Sequence, residues 1–339
     1  MGNINTVMQH YLEDRRRFAD LFNGVFFQGR EKIKPQMLRN EDGRYTAFAA
    51  EKRNLVEGKR TERIRDLKMW MESGGLLRIL AVENQNLVDY AMPFRCMQYD
   101  TMEYGKQTEE LKKRNRQSNM LETPAEKMCG MRKQDKLIPV YTLCLYHGEK
   151  EWDGPRSLKD MMQFGEEDEM ECFFSDYPFH LFCINEETDF SAFSTELKEV
   201  FSAVHYRNNK KEFKRLLEMD ESYRHLSRDT VEVLSALLNV PQMWEEREQY
   251  MNREAEEEEY DMCQAMREWL EDERNEGVQQ GRQQGIQQGI QQGIQAGVQQ
   301  GITVIIKNML RLDAPIRDIC AYTGYSEEQI RQIQEEIDA

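Results

Sequence analysis

The segment DLKMWMESGGLLRILAVENQ, Asp66–Gln85, decides how the chain is read. Two apolar runs flank ESGG, and a glycine pair between such runs signals a hairpin. The second run ends in Glu-Asn-Gln. Glu83 and Gln85 are two residues apart, so they lie on the same side of a strand. Two polar groups side by side in an apolar setting cost several kcal/mol unless something satisfies them. With ESGG as a four-residue turn, Asp66 lies opposite Ala81 and Glu83 is its diagonal neighbour, about 7–8 Å away. Asp66, Glu83 and Gln85 then share one face of two adjacent strands. Two carboxylates at that separation can hold a divalent cation between them. Oxygen ligands suit Mg²⁺, which keeps several waters and binds phosphate. The plain alternative is that these are polar residues at a strand end entering solvent.

The bulk properties narrow the setting. The chain has 339 residues, 39% of them apolar, enough for a folded domain with extensions. No run of eighteen apolar residues occurs, so no membrane span is expected. The opening MGNINTVMQH has no apolar core, so no secretory signal is expected either. Seven scattered cysteines without a CxxC pair read as reduced thiols, and the expected location is the cytoplasm. The net charge of −16 argues against nucleic acid at first sight. It is unevenly divided, however, with +6 on residues 1–150 and −22 on residues 151–339. The basic runs EKRNLVEGKRTERIR (51–65) and LKKRNRQ (111–117) flank the hairpin, and Lys112, Lys113, Arg114 and Arg116 are candidate phosphate contacts. Solvated helix or loop faces would explain the same runs.

Periodicity predicts helix over residues 1–30 and a loop over 33–43. A helix from Pro93 to about Arg114 follows the hairpin. Strands are predicted at 137–148 and 177–185, and helices from about Phe190 to Val240. The class is α/β with a mixed sheet flanked by helices. The composition shifts after Pro241, which divides the chain into a domain at 1–244, an acidic helical segment at 245–276, a repeat at 277–301 and a tail at 302–339. In the repeat, GVQQGRQQGIQQGIQQGIQAGVQQG, seven glycines recur every four residues. Each costs about 1 kcal/mol in a helix relative to Ala. The segment is therefore either a loose linker or a helix packed against a partner. Downstream, DICAYTGYSEEQIRQI resembles a helix-turn-helix, with Gly324 at the turn and Ser326 and Gln329 as a capping box. It reads either as weak DNA contact or as a helical pair for self-association, so the chain is expected to form a homo-oligomer through its C-terminal part.

The stretches RRFADLFNGVFFQG, RDLKMWM, LAVENQNLVDYAMPFRCMQYDTMEYGKQ and KLIPVYTLCLYHGEKEWDGPRSL resemble the Rpn family. These are recombination-promoting nucleases, also labelled putative transposases, of the PD-(D/E)XK type. The resemblance covers roughly residues 10–240. It implies a restriction-endonuclease-like fold and a Mg²⁺-dependent DNA endonuclease with Asp66, Glu83 and Gln85 as its catalytic motif. Asp66 and Glu83 would be the metal ligands, and the glutamine is the family's own form of the motif's last position. The resemblance also matches Asp20 to an acidic residue of the first helix, and Arg95 and Tyr99 to a cleft-facing pair in contact with nucleic acid. Core packing explains Tyr99 equally well. Asn86 departs from the Ser that members often carry there. The alternative function is a non-catalytic DNA-binding or assembly protein that keeps the fold.

Overall fold

The computed structural model describes residues 4–40, 66–165, 168–253, 255 and 258–338. The basic run at 51–65 lies outside the described residues. The first helical stretch is two helices, α1 (Ile4–Leu12) and α2 (Arg15–Phe27). They part at Asp14, whose side chain accepts from the backbone N–H groups of Arg16 and Arg17 and so caps α2. The expected loop at 33–43 contains a two-residue strand, β1 (Leu38–Arg39). Its brevity hides it from any period-two pattern.

β2 (Leu67–Ser73) and β3 (Leu76–Gln85) form the predicted hairpin, but the turn is tighter than expected. Ser73 pairs with Leu76, so Gly74 and Gly75 alone make the turn. Both have positive φ, 59° and 78°, which matches the right-handed twist of the flanking strands and favours glycine. After α3 (Met92–Gln117) and the short α4 (Pro124–Cys129), β4 (Val140–Tyr146) and β5 (His180–Cys183) complete a five-stranded sheet in the order β1-β2-β3-β4-β5. The first three strands are antiparallel, and β4 and β5 run parallel to β3. The sheet is therefore mixed, as expected.

The two faces of the sheet are covered differently. Trp70, Ile79 and Val140 form one cluster, and Cys96 and Met92 of α3 pack with Cys144, Tyr146 and Cys183. One face thus lies under α3. On the other face, Phe182 of β5 meets Phe193 and Phe201, and His180 meets Phe26 of α2 edge-on at 5.1 Å. Phe201 belongs to α5 (Leu197–Tyr206), which is followed by α6 (Lys210–Met219) and α7 (Arg228–Leu237).

This compact unit spans Met1–Arg267 and so extends beyond the expected boundary at 244. Residues past α8 (Pro241–Glu245) supply β7 (Met251–Asn252) and β8 (Glu259–Tyr260). β8 pairs with both β6 (Leu226–Ser227) and β7, and Tyr260, Met262 and Met266 are buried. Their acidic neighbours mask this apolar pattern in the sequence.

The glycine repeat is helical. It lies within α9 (Met262–Arg311), a continuous 50-residue helix. Side chains built at Gly281, Gly285, Gly289, Gly293, Gly297 and Gly301 would meet nothing within 4 Å. The chain ends in α10 (Ile316–Thr323) and α11 (Glu327–Asp338). Gly324 ends α10 with φ 72°, and Ser326 and Gln329 make both hydrogen bonds of the capping box. Ile306, Ile319 and Ile330 form the core of this second unit, Glu268–Ala339. No described helix is long and apolar enough to cross a membrane. All seven cysteines are free thiols, four of them buried.

Candidate active site at the open end of the hairpin

The two-glycine turn moves the register by two residues from the expected one. Lys68, not Asp66, lies opposite Ala81, and Leu67 lies opposite Val82. The ladder ends at Leu67–Val82, and extended by one residue the same register would set Asp66 against Glu83. Directly opposed residues have Cβ atoms about 4.5–5.5 Å apart, closer than the expected diagonal. A shift of two keeps every side chain on its own face. Asp66, Glu83 and Gln85 therefore still share a face, the one under α3.

Asp66 is half-buried, and its Oδ2 accepts the backbone N–H of Asn84 at 2.8 Å. Burial pushes its carboxyl above the usual carboxylate range, while the Asn84 N–H and the charge of Arg95 act the other way. Glu83 is 1% exposed, at the centre of the sheet beside Cys144. Gln85, one pleat beyond, is half-buried at the strand's end. The Asn84 side chain points to the opposite face.

Arg95 stands in the first turn of α3, after Pro93 has opened the helix. Its guanidinium donates to the Asp89 carboxylate and, at 3.3 Å, to the hydroxyl of Tyr99. Tyr99 is buried, so its ring packs in the core while its hydroxyl holds Arg95. The expected core packing of Tyr99 is thus present. One turn further along α3, Glu103 accepts from Lys68 Nζ at 3.2 Å. Lys68 and Glu103 were missed. The alternation of β2 could have revealed Lys68, two residues after Asp66. Nothing local could have revealed Glu103 or Asp89, which reach their partners only through the docking of α3.

Asp20 is the correction. It lies on α2, on the other side of the sheet, and is 6% exposed. Its carboxylate accepts from the backbone N–H and hydroxyl groups of both Ser194 and Thr195, at 2.7–3.0 Å. Gly24, one turn on, gives Phe193 its place; a Cβ there would sit 2.3 Å from that ring. Asp20 thus secures the entry to α5 and is not brought to the hairpin carboxylates.

Lys112, Lys113, Arg114 and Arg116 occupy the last turns of α3, about 25–30 Å from Arg95 along the helix axis. Asn115 among them is buried and donates to the Gly130 carbonyl at 3.2 Å and to the Asp135 carboxylate at 2.6 Å. That anchors this end of α3, and Lys113, Arg114 and Arg116 are exposed around it. The basic group and the carboxylates therefore sit at opposite ends of one helix.

Among the described residues, no group of three or more His, Cys, Asp or Glu side chains could hold a metal ion. The donor set at the hairpin is two carboxylates with an amide oxygen nearby. These hard oxygen ligands fit Mg²⁺, which takes one or two carboxylates and completes its shell with water and phosphate. Compared with protein-family models, curated proteins and solved structures, the chain matches none.

The raised Asp66 carboxyl has a consequence for stability. A carboxyl whose folded pKa lies above its unfolded value favours folding when protonated. That stability is present at low pH and is lost as the pH rises through the raised value. In Mg²⁺-free protein, Asp66→Asn should melt at or above the wild-type temperature near neutral pH, and the gap should close on acidification. Melting scans between about pH 4 and pH 8 check this. A variant clearly less stable than wild type at neutral pH would show that the ionised carboxylate stabilises the fold.

Proposed function

We propose that this chain is a Mg²⁺-dependent DNA endonuclease of the PD-(D/E)XK type, acting in recombination- or transposition-type DNA processing. The observation that carries the reading is Asp66 immediately before β2 with its carboxylate on the Asn84 N–H, beside Glu83 and with Gln85 one pleat beyond on β3. The mixed sheet, with this hairpin inside it and a helix over the carboxylates, supports the same fold family. In the reaction, a water oxygen bonds to phosphorus and loses a proton. One bridging P–O bond breaks, and the departing oxygen takes up a proton. Asp66 and Glu83 would hold the cation. When bound, Mg²⁺ supplies a lowered water pKa and neutralises charge on the phosphoryl oxygens. The Asn84 N–H keeps the Asp66 carboxylate in place. The Gln85 amide orients the water or a phosphate oxygen. Arg95, steadied by Asp89 and Tyr99, adds positive charge at the site's mouth.

Plasmid nicking with and without Mg²⁺ tests the activity. Asp66→Ala and Glu83→Ala should each lower the Mg²⁺-dependent rate by at least about 10²-fold while the circular dichroism stays native. Nicking at the wild-type rate by either variant would remove these residues from the site.

A duplex lying along α3 would meet the carboxylates at one end and the basic group at the other, about eight base pairs apart at 3.4 Å per pair. Neutralising Lys112, Lys113, Arg114 and Arg116 should therefore weaken DNA binding and flatten its salt dependence. The slope of log K against log salt should fall by about 0.9 for each phosphate that the variant no longer neutralises. An unchanged slope would make this end of α3 a solvated surface.

The alternative role in assembly has its own observation. Ile286, Ile290, Ile294 and Val298 of α9 are each more than half exposed and recur every four residues beside the glycine column. That row favours a homo-oligomer through the C-terminal part. In the full chain, Ile290→Glu with Ile294→Glu should lower the molar mass by light scattering and leave single-strand nicking intact. A mass equal to that of wild type would exclude α9 as the contact.

A further inference from the structure

The chemistry of the proposed site calls for positive charge at the phosphate beyond what Arg95 adds at its mouth. Hydrolysis at phosphorus builds negative charge beside two carboxylates, and Gln85, last in the motif, carries no charge. Arg95 is already engaged by Asp89 and Tyr99. Along β2 and β3, the side chains on the α3 face are Lys68, Trp70, Glu72, Leu77, Ile79, Ala81, Glu83 and Gln85, and Lys68 is the cation among them.

We infer that Lys68 is the positioning cation of this site, supplying from the neighbouring strand the positive charge that Gln85 does not. The inference rests on the nuclease reading above. Three features of the structure support it. Lys68 is two residues along the chain from Asp66, which immediately precedes β2, about 6.5–7 Å at Cα for extended backbone. It is also the diagonal neighbour of Glu83, because Lys68 pairs with Ala81. Its ammonium is held in a defined place, 3.2 Å from Glu103 Oε2 and 5.8 Å from the centre of the Trp70 ring. It remains 32% exposed while Glu103 is 10% exposed, so the buried acid anchors the lysine and leaves it open to a ligand. Strand and helix are thus joined by the ion pair of Lys68 with Glu103. A surface ion pair needs no such register with a carboxylate pair beside it. A cation fixed before the reaction starts stabilises developing charge without reorganisation, and loss of one such group typically lowers kcat by 10²–10³-fold.

The test uses the full chain with Lys68→Gln and Lys68→Arg. Two readouts are taken: steady-state cleavage of a duplex with Mg²⁺, and calorimetric Mg²⁺ binding without DNA. Lys68→Gln should lower kcat by about 10²-fold with KM changed by less than about threefold. The arginine variant should recover at least about a tenth of the lost rate by restoring the charge. Removing the positive charge of the residue diagonal to Glu83 should also tighten Mg²⁺ binding, by at least about twofold. A purely structural role predicts the opposite, weaker binding in both variants. Wild-type kcat in Lys68→Gln, or equal losses in the two variants, overturns the role in cleavage. Unchanged or weaker Mg²⁺ binding in Lys68→Gln overturns the placement. A wild-type chain that nicks no DNA, with binding still tightened in Lys68→Gln, overturns the nuclease reading and leaves the placement standing.

Discussion

Two glycines set the register on which the rest of the site depends. Gly74 and Gly75 both adopt positive φ and turn β2 into β3 with no other residue between the ladder's ends. Any longer turn would pair the strands differently. Because side chains alternate with a period of two, a slip of one residue would send Asp66, Lys68 and Trp70 to the wrong face. The register sets Leu67 against Val82 and Lys68 against Ala81 at once. The same choice positions the strand N–H of Asn84 to hold the Asp66 carboxylate.

The sheet's two faces do different work. The face toward α2 and α5 is aromatic, with Phe182, Phe193 and Phe201 in contact. The face under α3 carries charge and hydrogen bonds along the whole helix. Arg95 neighbours Asp66, Glu103 meets Lys68, Asp100 accepts from Thr142 at 2.7 Å, and Gln107 bonds both ways with the backbone of Ile138. Buried polar groups are tolerable only with partners, so these contacts fix both the height and the rotation of α3. A helix held this way presents Arg95 at one end and its basic side chains at the other as parts of one rigid element.

The C-terminal part follows different physics. Glycine every four residues should make an isolated helix marginal, yet α9 is continuous through the repeat. Its glycines and its Ile/Val row run along the i±4 direction, which makes a groove beside a ridge. The small unit after it closes its own core on Ile306, Ile319 and Ile330. The acidic surface of α11 sets it apart from the basic end of α3.

Much of this was legible without coordinates. The apolar runs about ESGG announced a hairpin, and the parity of Asp66, Glu83 and Gln85 survived the change of turn because a shift of two preserves the face. The capping box at Ser326 and Gln329 was equally local. The register of β2 on β3 was not legible, since a four-residue and a two-residue turn fit the same letters. Nor was the role of Asp20, whose partners Ser194 and Thr195 lie more than 170 residues away in sequence. The extent of the compact unit to Arg267 was hidden because β8 finds its partners only across the fold. Which residues alternate, cap and turn can be read along the chain, because those choices depend on sequence neighbours. Which charges meet depends on contacts across the fold, because Glu103 reaches Lys68 only when α3 settles on the sheet.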